Sequence, residues 1–377
     1  MIPIKKEEKK VEYLELIYDL IFVYIIGRNN SLLHNLSGGF VTMPAFLAYV
    51  MCTLAVIQIW NFSTFYINVY GKNSIRDHVF LFINMYLLYF MADGTNAHWQ
   101  TSLYQYSTAW ALILANLGIQ QIIQLRHAKD NKTEAAQLKV KAAIILGESA
   151  LVGVHMLVYH IWGISIAYVP ILFGMAAMLL CGRADALAAV DFSHLTERAM
   201  LYVVFTFGEM IIAISGYFGG DVTPNLIYFS AMAFLIVAGL FVSYGVFYNS
   251  IIDRERETNG TVYMLVHIFL VFALNNLSAA LEFMHDEEVS LMPKTLFLTG
   301  SFVLYYVCLF LLGRYAKKRC SFSAKFIGGL LAAAVVFSGL MIAFRGLMYV
   351  NIAVTVVFVY GIFILMYRNS KKQNASE

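Results

Sequence analysis

Hydrophobic residues along this chain fall into long blocks separated by short polar breaks. Apolar runs cover 12–34, 42–70, 78–94, 101–125, 138–159, 163–182, 194–217, 224–250, 261–283, 293–315, 324–345 and 347–367. A helix needs roughly 20 apolar residues to cross the hydrocarbon core, and it satisfies every backbone polar group internally. Each run therefore predicts one crossing. The breaks carry Gly, Pro or charge: Ser37-Gly38-Gly39, Gly71-Lys72, Asp93-Gly94, Gly219-Gly220-Asp221 before Pro224, Asp253 to Gly260, and Asp286-Glu287-Glu288 before Pro293. Arg345-Gly346 leaves the tightest turn. The expected fold class is all-α: a polytopic membrane protein of about twelve transmembrane helices.

Composition narrows the function classes. The 377 residues are 60% hydrophobic and only 13% charged, against about 25% charged in a soluble domain, so no sizeable extramembrane domain remains after twelve crossings. No Walker loop, HExxH, GxSxG or dinucleotide glycine pattern is present, which excludes an ATP-driven pump built from this chain alone. A net charge of +3 is too mild for nucleic acid. Cys52, Cys181, Cys308 and Cys320 are scattered without a CxxC pair, and they read as packing residues. The basic start Lys5, Lys6, Lys9, Lys10 precedes an apolar run interrupted by Glu12, Glu15 and Asp19 with no small-residue cleavage site, so that run is expected to be a retained first helix. No cofactor and no metal is expected.

The placement of Lys and Arg tests the span count, because they collect on the cytoplasmic side. Of the 26, all but Arg28, Arg198, Lys294 and Arg345 lie in the amino terminus, the five even-numbered connections and the carboxyl tail. Both termini are therefore expected in the cytoplasm. Two loops open alike, Arg126-His127-Ala128-Lys129 and Arg314-Tyr315-Ala316-Lys317, and Val79–Ala97 aligns with Val262–Ala280, setting Asp93 over Asn276 and Thr95 over Ser278. The expectation is two parallel six-helix repeats, 1–183 and 184–377, within one membrane domain.

Ionisable residues inside a bilayer cost about 2.5–3.5 kcal/mol each on insertion scales and normally face a bundle interior or a wet cavity. Glu12, Glu15 and Asp19 share one face of the first helix. They either form a cation or proton site, or Glu12 and Glu15 lie in the headgroup layer while Asp19 bonds a neighbouring Arg. His194 and Glu197 stand one turn apart on the seventh span, followed by Arg198, which is placed to pair with an acid of the first span, and by Gly208-Glu209 deeper in the same span. Two ligands on one helix are too few to imply a metal. On the fifth span Glu148 and His155 lie two turns apart on one face; they serve either as a proton relay or as separate interhelical hydrogen bonds. Trp60, Tyr66, Tyr244 and Tyr248 fall where an aromatic belt is expected. Asn61, Thr64, Asn68 and Asn249 either line a pore or join helices.

The segment Glu15-Leu16-Ile17-Tyr18-Asp19-Leu20-Ile21-Phe22-Val23 resembles the E-L-F-F-D-L-V-F-V signature of the bacterial low temperature requirement A family. His194-Leu195-Thr196-Glu197-Arg198 with Gly208-Glu209 resembles its second signature, H-L-x-E-R-F followed by G-E, and the stretch from Trp60 through Asn68 to Asp77 resembles its second-to-third-helix segment. Ile17 and Tyr18 replace the paired Phe, Ala199 replaces the Phe after Glu-Arg, and Val69 stands where an Arg usually follows the Asn. The resemblance implies a multi-pass protein of the bacterial cytoplasmic membrane with a cold-growth phenotype; it supplies no substrate. The short acid-bearing first helix and two six-helix repeats are also similar, by analogy only, to endolysosomal potassium and proton channels. Two function classes follow. One is a secondary transporter or channel for a cation, proton or small solute, using Glu15, Asp19, Glu148, His155, His194, Glu197, Arg198 and Glu209, with the lipid bilayer as its partner and homo-oligomerisation left open. The other is an intramembrane enzyme or lipid-modifying protein built on His194, Glu197 and Glu209. The spread of the acids from Glu15 to Glu209 favours transport.

The topology is directly testable. In a background without the native cysteines, single cysteines at Ser37 and Asp221 are expected to label from outside the cell, and those at Lys132 and Lys318 from inside. External labelling at Lys132 would overturn the orientation.

Overall fold

The computed structural model describes residues 9–95, 99–128, 131–184, 190–216, 223–318, 320 and 322–374. The Gly219-Gly220-Asp221 break, the basic Lys5 and Lys6, and Lys129 of the fourth connection lie outside the described residues. Among those described, the chain forms α1 (Tyr13–Asn29), α2 (Met43–Tyr70), α3 (Ile75–Asp93), α4 (Trp99–Leu125), α5 (Lys132–Trp162), α6 (Tyr168–Ala184), α7 (Phe192–Ser215), α8 (Pro224–Val246), α9 (Thr261–His285), α10 (Leu291–Leu311), α11 (Ala324–Ala343) and α12 (Met348–Asn374). The twelve helices fall on the twelve apolar runs. Polar breaks end them for identifiable reasons. Ser74 and Asp77 close a capping box at the start of α3, while Asn131, Thr223 and Ser323 cap α5, α8 and α11. Gly163 stops α5 in a left-handed conformation, φ +67°.

Nine of the helices in the described residues are long and apolar enough to cross a membrane. The exceptions are α1, α3 and α6. α1 has 17 residues, a rise of about 25 Å, and α3 opens on Arg76-Asp77. The apolar part of α6 is the short stretch Tyr168–Leu180. Large apolar side chains such as Phe82, Tyr86, Leu331 and Val357 are exposed on these helices, as expected where the solvent is lipid. The protein is thus a multi-span membrane protein in contact with a bilayer.

Local geometry departs from a plain helix array in three places. The first run ends at Asn29 and tightens into a 3₁₀ turn, Asn30–His34. A two-residue hairpin follows, β1 (Leu36–Ser37) with β2 (Phe40–Val41). Gly38 and Gly39 turn it with φ +63° and +83°, the backbone that favours Gly in two-residue turns. α8 continues as a π-type turn, Phe247–Ile251. Its end pairs with the end of α10, Asp253 N donating to Tyr315 O at 2.8 Å and Lys317 N to Ile251 O at 2.8 Å.

Two compact units emerge. The first comprises Met1–Asn35, Met43–Tyr202 and Arg254–Ile268, and the second Leu36–Thr42, Val203–Asp253 and Phe269–Glu377. In the first, α4 packs against α3 and α5, α1 against α2 and α3, and α2 and α5 against α6. In the second, α12 packs against α8 and α11, and α11 against α10. Close approaches rest on glycines, as is usual where helices pack without a hydrophobic driving force. A Cβ on Gly239 of α8 would lie 2.5 Å from Val359 Cγ1 of α12. Gly239→Val is therefore expected to destabilise the protein by about 1–3 kcal/mol through overpacking, read as a lowered Tm in detergent. An unchanged Tm would show that α8 and α12 do not meet tightly there.

Candidate functional site

The first unit buries a cluster of charged side chains drawn from α1, α2 and the start of α7. Asp19 and Arg198 have no exposed surface, His194 is 1% exposed and Glu15 4%. The first-helix signature supplies the acids. They stand one turn apart because residues four apart on a helix share a face. Arg198 Nη2 lies 2.5 Å from Asp19 Oδ1, and its Nε lies 3.4 Å from Glu15 Oε2. Trp60 of α2 donates its indole N–H to the same Asp19 Oδ1 at 2.8 Å. The Trp60 ring stacks on Tyr202, one turn beyond Arg198, with centroids 4.2 Å apart. One basic residue thus serves two acids, and an aromatic pair closes one side of it.

The start of α7 is tied to the end of α2. Asp191 accepts the His194 N–H at 3.1 Å as a helix cap. Asn68, in the last turn of α2, accepts the Asp191 N–H at 3.0 Å and donates its amide to Asp191 O at 2.8 Å. This reciprocal pair fixes the orientation of the Asn68 amide, because turning it over would set donor against donor and acceptor against acceptor. Asn68 Nδ2 also stands 3.0 Å from His194 Nδ1. An amide nitrogen only donates, so His194 Nδ1 accepts and its proton sits on Nε2. That Nε2 lies 3.4 Å from Glu15 Oε2. Two carboxylates thus face one guanidinium.

Lys9 is the next cation. Its Nζ donates to Ile67 O and, at 2.9 Å, to Gly71 O, capping the carbonyl end of α2 where a positive charge is favoured. Burial lowers the Lys9 ammonium from its ordinary range, and Glu15 acts in the opposite direction. A cleft of about 300 Å³ opens beside it, lined among others by Lys9, Glu12, Glu15, Tyr66, Lys72 and Asp77. Among the described residues, Tyr66 Oη on its lining is buried without a hydrogen-bond partner, while Glu15 Oε2 is met only by the 3.4 Å contacts of Arg198 and His194, and Asp77 Oδ1 only by Arg76 at 3.8 Å. Deeper on α2, the Asn61 amide and Thr64 Oγ1 are also buried without partners among the described residues, on the face they share with Asn68. Buried polar groups normally find partners.

The other expected site residues separate. Glu197 is half-buried and forms no ion pair among the described residues. Glu209 is half-buried in the second unit, within electrostatic reach of Glu282 on α9. Glu148 and His155 are both buried but have different partners. Gln58 Nε2 donates to Glu148 Oε2 at 3.1 Å, whereas His155 Nδ1 accepts the Ile166 N–H at 3.2 Å in the loop before α6. The aromatic-belt expectation is corrected. Trp60, Tyr66, Tyr244 and Tyr248 are all buried, because position along a span does not say which face a ring takes, and the Trp60 indole is drawn inward by a carboxylate. Asn249 is exposed. Sequence reasoning missed Asp191, Lys9, Gln58 and Glu282 as participants. Asp191 carried a usable signal, an acid three residues ahead of a helical motif, and Glu282 met the same intramembrane-acid criterion as Glu209.

A model of the family described as bacterial low temperature requirement A protein (LtrA) matches residues 10–360. The chain belongs to the LtrA family. No curated protein and no solved structure matches it. The LtrA match takes in both charged segments, Glu15 to Asp19 and His194 to Arg198, and these are the segments that the fold joins. Lys9 stands one residue before the matched region. The LtrA description names a temperature phenotype and no substrate, so mechanism has to come from the cluster itself.

A thermal-stability cycle tests the central pair. Asp19→Asn and Arg198→Gln are each expected to cost about 3–5 kcal/mol, since each strands a buried charge. The double variant should be less damaging than their sum by more than ~1 kcal/mol. Strict additivity would show that the two side chains do not interact.

Proposed function

We propose that this LtrA-family protein moves a cation or a proton across the membrane, with Glu15 as the group that binds it. The observation that supports this reading is that two buried acids, Glu15 and Asp19, share one guanidinium, Arg198. Arg198 is closer to Asp19, and the other cation that acts on Glu15, Lys9, is engaged by the carbonyls at the end of α2. A bilayer tolerates such an acid only where water, an ion or a counter-charge reaches it. The cleft supplies a route, since Glu15 lines it together with Lys9 and Lys72.

In this reading twelve crossings place both termini in the cytoplasm, so the cleft faces the cytoplasm, and the polar face of α2 through Asn68, Thr64 and Asn61 continues inward from it. Asp19 and Arg198 hold the geometry, while Glu15 exchanges its bound cation. Glu209 is the acidic position of the second unit in the same transport reading. Nothing favours the enzyme alternative: His194 and Glu209 are separated by about 22 Å of helical rise, too far for one compact catalytic cluster.

Purified protein in liposomes tests the proposal. Cation or proton movement above that of empty vesicles is expected under a voltage or a pH gradient. Glu15→Gln, which removes the carboxylate charge and keeps the shape, should reduce it at least tenfold while leaving a folded, monodisperse protein. No flux under either gradient, or full flux in Glu15→Gln, would overturn it.

A further inference from the structure

A second buried acid of the first unit stands in a different setting. Glu148, in the middle of α5, has no exposed surface, and among the described residues no salt bridge includes it. Among the described residues, the groups shown against it carry no charge to answer its own. Gln58 of α2 contacts it directly, Gly174 of α6 lies against it, and the adjacent Ser149 reaches Ala111 of α4 at 2.8 Å. Within one helical turn of Gln58, Gly174 and Ala111, in either direction, there is no Asp, Glu, His, Lys, Arg, Cys or Tyr. On α5 itself the nearest titratable groups are Lys141 and His155, each two turns away, and His155 is turned to the Ile166 amide. An ionised carboxylate here would be an isolated charge inside a bilayer, the costliest state available to it.

The hydrogen bonding carries the argument further. Gln58 Nε2 donates to Glu148 Oε2, yet among the described residues Gln58 Oε1 and Glu148 Oε1 are both buried without a partner. Both are acceptors. The pair therefore lacks one donor, and a single proton on the carboxyl group provides it. A carboxylic acid and a carboxamide then complement each other, N–H to carboxyl oxygen and O–H to amide oxygen. Gly174 leaves the pair room, because a Cβ at that position would overlap both Glu148 Oε2 and Gln58 Nε2.

We propose that Glu148 and Gln58 form a proton-binding site in the core of the first unit, a neutral acid–amide pair closed over by Gly174. The site is separate from the Glu15 cluster and does not depend on the transport reading. Glu148 retains its proton at neutral pH because no cation is at hand to replace it, and Gln58 is a positioning residue that orients the carboxyl group. The unfolded chain exposes Glu148 to water, where it ionises near the ordinary glutamate pKa of about 4.3. Folding then takes up a proton above that pH, and the parent protein loses stability as pH rises.

The experiment combines infrared difference spectroscopy with thermal unfolding of the full chain in nanodiscs, the proton being the only ligand varied. The parent is expected to show the carbonyl band of a protonated carboxyl at neutral pH, and Glu148→Gln to lack it. Gln58→Leu should keep that band but shift it to higher frequency, because the carboxyl loses its amide partner. Glu148→Gln, a permanent mimic of the neutral acid, should match the parent in Tm at acidic pH and exceed it increasingly toward alkaline pH. The proposal is overturned if no carboxyl band disappears in Glu148→Gln, if Gln58→Leu leaves the band where it was, or if Glu148→Gln is less stable than the parent at neutral pH. Flux through the liposomes reports separately on Glu15, so loss of either result leaves the other standing.

Discussion

Arg198 shared between two acids of α1 is the constraint on which the first unit turns. A guanidinium with no exposed surface is tolerable only with its counter-charges fixed in place, since burying an unpaired charge costs far more than burying a pair. That requirement sets the register of α1 against the start of α7 to within a turn. Sliding either helix by one turn would part Arg198 from Asp19 and leave that buried acid without its cation. The Trp60 indole and the Tyr202 ring then exclude competing solvent from one side of the pair, which strengthens it by lowering the local dielectric.

Around this pair, the end of α2 acts as a bracket. Lys9 satisfies its last carbonyls, and Asn68 holds the cap of α7 by both of its amide atoms. The same Asn68 nitrogen decides the tautomer of His194. The two buried acids of the first unit, Glu15 and Glu148, meet the cost of burial differently, one beside a cleft and a shared cation, the other beside an uncharged amide.

The helical body was legible from the chain alone. Every apolar run became a helix, and the breaks at Gly71-Lys72, Gly94 and Arg345-Gly346 lie between helices. Hydropathy acts locally, because each helix closes its own backbone hydrogen bonds whatever its neighbours do. The irregular ends were not legible: the 3₁₀ turn after Asn29 and the π-type turn after Val246 follow from contacts with other segments. The charged residues that matter were visible as well, for Glu15, Asp19, His194 and Arg198 stand out against an apolar background. Gln58 did not stand out, being uncharged in the middle of a long helix, and Trp60 was assigned to the lipid boundary.

What the sequence by itself determined is the number and extent of the helices, the membrane environment, and the short set of residues too polar to be there without a reason. The tertiary structure decided which of those residues meet. It joined Arg198 to Asp19 and Glu15, turned Trp60 inward, gave Glu148 to Gln58 and His155 to the Ile166 amide, and left Glu197 without an ion pair among the described residues. The reason is geometric. A helix period fixes which side chains share a face, but the direction that face points depends on packing against helices far away in the chain, and electrostatic pairing is decided over a few ångströms.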